Sequence, residues 1–161
     1  MGFIRTAALL GLLTGILLVI GFLWAGIQGM TIFFGIALVM NFLSYWYSDK
    51  IVLAMYRAKP ISKSDKPKLH DIVENIAGEM NMPKPKLYLV NLPILNAFAT
   101  GRDVKHAAVA VTSGLMKHLN WDEIEGVISH ELSHVKNSDT LTSTIAATIA
   151  GTIAYIAQMA W

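Results

Sequence analysis

Cysteine is absent, so no disulfide scaffold is open to this chain. A reducing compartment is compatible with that absence without being required by it. Charge is scarce too: Asp, Glu, Lys and Arg make up 15% of the residues, against about 25% in an ordinary soluble protein. Arg5 apart, every one of these side chains lies between Asp49 and Asp139. The uncharged ends exclude an ordinary soluble globule, and a hydrophobic share of 54% excludes a disordered chain. A formal net charge of +2, with no basic-aromatic pattern, gives no basis for nucleic-acid binding. The distribution describes a small polar unit set between membrane segments.

Thr6 to Ser48 runs for 43 residues without a charge. One helix of that length would measure about 65 Å, whereas the hydrocarbon core of a bilayer is about 30 Å thick. Two spans fit where one does not. Gly26-Ile27-Gln28-Gly29 interrupts the apolar run, which predicts a first span near Thr6–Ala25 and a second near Met30–Tyr47. Residues 1–48 thus read as a transmembrane hairpin. Trp24, Tyr45, Trp46 and Tyr47 sit near span ends, where aromatic belts form. A cleaved signal peptide fits less well, because its apolar region is usually about 7–15 residues long. Arg5 precedes the hairpin, and Lys50, Arg57, Lys59, Lys63, Lys66 and Lys68 follow it. Positive flanks stay inside, so both ends of the hairpin, and residues 49–139 after it, are expected in the cytoplasm.

A second uncharged run, Thr140–Trp161, reads as a third apolar helix that crosses the bilayer or lies in its surface. Ala146, Ala150 and Ala154 recur every four residues, as do Ala147 and Gly151. Small residues at this interval let helices approach closely in lipid, which also permits self-association.

The polar middle reads as α+β. Ser64 or Asp65 can cap a helix with Pro67 in its first turn. Leu69, Ile72, Val73, Ile76, Ala77 and Met80 then share one face, and Pro83-Lys84-Pro85 ends the segment. Strands are expected over Lys86–Val90, Asn96–Thr100 and His106–Thr112. A short helix is expected over Ser113–Leu119, followed by a longer one that Asn120 and Glu123 open as a capping box.

That longer helix carries His130-Glu131-Leu132-Ser133-His134. On a wheel of about 100° per residue, with His130 at zero, His134 falls near 40° and Glu131 near 100°. Ile124, Ile128, Leu132 and Val135 fill the adjoining sector and would meet a core. Two imidazoles one turn apart can both reach one tetrahedral Zn²⁺. The metal acidifies water and polarises a carbonyl. Glu131, beside it, can take the water's proton and hand it to a leaving amine. Gly126, one turn earlier, leaves room to approach. The lone His70, His106 and His118 have no such spacing and read as structural.

A catalytic zinc needs a third protein ligand. A His six residues after His134 would provide one, but Thr140 stands there. Asp139 falls at about 180° on the wheel, away from the metal edge. Asn137 falls on the metal side and suits a hydrogen bond to a ligand better than ligation. The third ligand of this single zinc is therefore expected downstream of Trp161.

The basic stretch after the uncharged hairpin, Asn96-Ala97-Phe98-Ala99-Thr100-Gly101 and His130-Glu131-Leu132-Ser133-His134-Val135-Lys136-Asn137-Ser138-Asp139 come in an order that resembles the HtpX membrane metalloproteases. These are heat-shock-associated relatives of the CAAX prenyl proteases. The resemblance covers the whole chain and matches about the N-terminal half of such a protein. It implies a membrane-anchored zincin-like α+β fold, one zinc ion held by His130 and His134, and Glu131 as the catalytic carboxylate. A third ligand, a Glu on a later helix, is implied as well. So are a cytoplasmic active site at the cell membrane and endoproteolysis of damaged or misassembled membrane proteins. From spacing alone, Asn96–Thr100 fits an ordinary core strand and a substrate-pairing edge strand equally. The resemblance favours the edge, making Asn96, Ala97, Phe98 and Ala99 substrate contacts. A zinc helix inside the bilayer is disfavoured, because Asp122, Glu123 and Glu125 precede it closely. The alternative from another class is a non-catalytic membrane adaptor that keeps a protease-like fold.

Overall fold

The structure is a computed structural model that describes residues 2–137, 140–143, 145 and 146. Helix α1, Gly2–Met55, leaves helical geometry at Ala25 (φ −147°, ψ 31°) and Gly26 (φ 59°, ψ −140°). The positive φ at position 26 favours glycine. The chain reverses there. Asn41 Nδ2 donates to Thr14 Oγ1 at 2.8 Å, although a straight helix would hold residues 27 apart about 40 Å from each other. Gly21 and Gly29 allow the arms to touch, since a Cβ on Gly21 would lie 2.6 Å from the Gly29 carbonyl oxygen. The break is narrower than the Gly26–Gly29 interruption expected from sequence. Ile27, Gln28 and Gly29 are helical, and the second arm runs past Tyr47 to Met55. One positive-φ glycine suffices to turn the chain. Among the described residues, one helical stretch, Thr6–Tyr47, is long and apolar enough to cross a membrane. Its arms leave Leu12, Val19, Phe22, Leu23, Ile27 and Val39 exposed.

Beyond α1 lies a four-stranded sheet in the order β1-β2-β4-β3. Its strands are β1 (Lys59–Pro60), β2 (Lys86–Val90), β3 (Ala97–Thr100) and β4 (Ala108–Thr112). Strands β2 and β4 run parallel, while β1 on β2 and β3 on β4 are antiparallel. Strand β4, Ala-Val-Ala-Val-Thr, is buried on both faces, which explains its unbroken run of small and β-branched residues. Leu87, Val109 and Val111 pack with helices α2 (Pro67–Glu79) and α4 (Trp121–Lys136). Val90, Ala108 and Ala110 pack instead with Leu53 of α1. The end of the apolar helix is thus part of the core of the polar unit.

Local chemistry shifted several expected boundaries. Helix α2 starts at Pro67 with Lys66, not Ser64 or Asp65, at its cap. The Asp65 carboxylate instead accepts the Ser62 hydroxyl and backbone N–H, bonds that hold its pKa below the ordinary value. The helix ends at Glu79, ahead of Pro83, because Asn81 takes a positive φ of 53°. The strand expected over His106–Thr112 begins at Ala108, since Asp103 caps a single 3₁₀ turn over Val104–His106. Strand β1 was not foreseen. Within the expected third apolar helix, residues 140–143, 145 and 146 are helical, and the Thr142 and Thr6 hydroxyls are 2.9 Å apart. The rest of Thr140–Trp161, and Asp139, lie outside the described residues.

Helix α3 (Ser113–His118) follows β4 directly, and Gly114 abuts the chain before β3. A Cβ at 114 would collide with the backbone carbonyls of Pro93 and Ile94. Gly114→Ala is expected to cost about 1–3 kcal/mol, the usual range for forcing extra volume into a packed site. The thermal unfolding midpoint in detergent checks this, and an unchanged midpoint would show that the Pro93–Ile94 turn gives way freely.

Candidate metal centre

Helix α4 begins in a closed capping box. Asn120 Oδ1 accepts the backbone N–H groups of Asp122 and Glu123, while Glu123 accepts that of Asn120. This satisfies donors that the first helical turn leaves unpaired. Ile124, Ile128, Leu132 and Val135 are buried as the wheel requires. Each such aliphatic burial contributes about 1.5–3 kcal/mol, which fixes the helix's rotation about its axis. His130 and His134 are thereby held on the outer side, His130 exposed and His134 half-buried.

The two imidazoles converge. Their Nε2 atoms are 3.2 Å apart, and the rings lie almost perpendicular, with centroids 4.7 Å apart. Two nitrogens bound to one tetrahedral zinc at about 2.0–2.1 Å would be separated by about 3.3–3.4 Å. The pair fits that requirement without rearranging the backbone. Position 126, one turn earlier, faces open space. Among the described residues, no third His, Asp or Glu joins the pair.

Glu131 is half-buried, and its Oε2 accepts the backbone N–H of Ala99 at 3.3 Å. This contact joins two segments that the sequence offered separately. Among the described residues, strand β3 has β4 alone beside it in the sheet and so lies at an edge. Thr112 N–H donates to the Asn96 carbonyl, so Asn96, Phe98 and Thr100 direct their main-chain groups toward β4. Antiparallel ladders alternate, and Ala97 and Ala99 therefore direct theirs to the outer edge. Asn96, Phe98 and Ala99 also line a cavity of about 190 Å³ with Val52 and Tyr56. Asn137 is exposed at the C-cap of α4, its N–H on the Ser133 carbonyl. Nothing in the sequence marks the Ala99–Glu131 contact, which links residues 32 apart. His106, read as structural, bonds to Asp103 and Arg102, and His70 Nε2 lies 3.0 Å from the Ile61 carbonyl.

Residues 63–161 match the model of peptidase family M48. The chain belongs to peptidase family M48. Within the family it is 56% identical over 158 residues to a protease HtpX homolog of Sulfurihydrogenibium, an alignment covering 98% of this chain and 53% of that protein. A protease HtpX homolog of Pyrococcus furiosus is 54% identical over 138 residues, covering 86% of this chain and 48% of that protein. One from Aquifex aeolicus is 56% identical over 146 residues, covering 91% and 48%. The chain spans about half the length of these curated M48 relatives.

Proposed function

We propose that this chain forms the N-terminal portion of a zinc-dependent endopeptidase of the cytoplasmic membrane, whose substrates are damaged or misassembled membrane proteins. The observation that carries this reading is the 3.2 Å approach of the His130 and His134 Nε2 atoms beside a carboxylate that touches an edge strand. His130 and His134 hold the zinc, and a Glu on a segment following Trp161 completes the site. When bound, zinc supplies Lewis-acid activation of water and of the scissile carbonyl. Glu131 takes the proton of the attacking water and returns it to the leaving amine. An extended substrate pairs with the outer main-chain groups of Ala97 and with the Ala99 carbonyl, the Ala99 N–H being held by Glu131, as peptides add to free sheet edges. The Glu131 carboxylate, already bonded to Ala99, is thereby placed beside the peptide. Asn96 and Phe98 contribute side chains next to the groove, and Asn137 supports a histidine ligand from outside.

The direct test is cleavage of an unfolded polypeptide such as casein by the protein at its relatives' length, purified in detergent. Cleavage should stop on zinc chelation and return on adding zinc. Cleavage unaffected by chelation would defeat the reading.

The apolar arms of α1 are the membrane anchor, with the turn at Ala25–Gly26 outside and the sheet in the cytoplasm. The cationic run after the second arm supports this orientation. Single cysteines can be introduced cleanly into a chain that has none. An impermeant thiol reagent on intact cells should label Gln28→Cys and spare Lys63→Cys. Labelling of the Lys63→Cys variant from outside would reverse the orientation.

A further inference from the structure

A cavity of about 340 Å³ opens where α1 meets the sheet, lined by Trp46, Asp49, Lys50, Lys86, Arg102 and Lys105 among others. Cations dominate it. Lys84 also lines it but is held by Glu74 at 2.7 Å, and among the described residues Asp49 is the one carboxylate on its wall. We propose that this notch binds the phosphate of an anionic phospholipid headgroup at the cytoplasmic face of the membrane. The proposal rests on α1 being membrane-spanning and adds a lipid site that the peptidase reading does not require.

Arg102 is built into place. Its guanidinium stacks 4.5 Å from the centroid of the Trp46 ring. Its terminal nitrogen donates to His106 Nε2 at 2.9 Å. Arginine has only donors, so His106 accepts at Nε2 and carries its proton on Nδ1, 2.8 Å from the Asp103 carboxylate. Partial burial pushes the Asp103 pKa up. Hydrogen bonds from the His106 side chain and from the Lys105 and His106 N–H groups outweigh this and hold it below its ordinary value. The ionised Asp103 thus anchors His106, and His106 anchors Arg102. Arg102 Nε also lies 3.4 Å from Asp103. The guanidinium fork keeps further donors for an incoming phosphate, the geometry at which arginine excels.

The surroundings favour a lipid over a free phosphate. Trp46, Lys50 and Arg102 also line an adjoining cavity of about 360 Å³, together with Phe42 and Tyr47. Phe42, Trp46 and Tyr47 are exposed at the end of the apolar arm, and Lys50 Nζ lies over the Tyr47 ring at 5.1 Å. The combined notch is aromatic toward the arm and cationic toward the sheet. A phospholipid has that polarity where acyl chain meets phosphate, and basic pockets on the cytoplasmic side of membrane helices take such headgroups.

The full chain in detergent micelles should be titrated with short-chain phosphatidylglycerol and phosphatidylcholine, and bound lipid counted by native mass spectrometry. Phosphatidylglycerol should bind at least about tenfold more tightly than phosphatidylcholine. Arg102→Gln/Lys105→Gln should abolish the preference, and Lys66→Gln/Lys117→Gln, which removes equal charge elsewhere, should leave it intact. Lys86→Gln/Lys105→Gln, both exposed, tests the same notch if the Arg102 variant does not fold. Equal affinity for the two lipids, or an unchanged preference in both notch variants, would overturn the proposal. Displacement of the lipid by inorganic phosphate at equal concentration would also overturn it, showing an anion site with no lipid component. Alkaline carbonate extraction separates the two readings. A chain that washes off membranes refutes the spanning α1, whereas one that stays without lipid preference refutes the notch alone.

Discussion

Glu131→Gln is expected to retain zinc and to lose peptide cleavage by about three orders of magnitude, within the 10²–10⁴-fold range for a positioned general base. The substitution keeps the shape of the side chain. Its amide oxygen still accepts the Ala99 N–H that Glu131 Oε2 accepts at 3.3 Å, so the edge strand and the helix stay docked. What disappears is the proton acceptor. The check is metal content and casein cleavage measured on one preparation, in the protein at its relatives' length. Full cleavage with metal lost would reverse the roles given to Glu131 and the histidines.

His130→Ala and His134→Ala are expected to fail differently. Removing even the outer hydrogen-bonding partners of metal ligands commonly costs 10–100-fold in affinity, so deleting a ligand should cost more than about 100-fold. The fold should survive, because neither imidazole belongs to the buried face formed by Ile124, Ile128, Leu132 and Val135. Circular dichroism should match the parent chain while zinc content and cleavage both fall. Near-stoichiometric zinc in either variant, after dialysis against a weak chelator, would show that the metal sits elsewhere.

Helix α4 was legible because everything that defines it is local. Helical period separates the apolar face from the histidine edge, and the Asn120–Glu123 box joins residues three positions apart. The edge position of β3 was not legible. Spacing fits a core strand equally well; the family resemblance favoured the edge, and the order β1-β2-β4-β3, set by pairings between distant segments, agrees with it. Strand β1 escaped notice because it has two residues, one of them proline, and pairs only at the sheet's edge. Asp65 looked like a helix cap, but the nearby Ser62 hydroxyl competes for its carboxylate. The Arg102–Trp46 stack joins a sheet-side loop to the apolar helix across 56 positions, and each residue alone reads as ordinary. The Ala99–Glu131 contact is hidden for the same reason: its donor is a backbone group with no signature in the residue type.

The proposed function requires one zinc ion between His130 and His134. X-ray absorption at the zinc edge, on the zinc-loaded protein at its relatives' length, measures this most directly. That placement predicts four-coordinate zinc with two imidazole nitrogens at about 2.0–2.1 Å. It predicts that the outer-ring imidazole scattering is reduced in His134→Ala. A shell of oxygens alone, or a spectrum unchanged by that substitution, would contradict it.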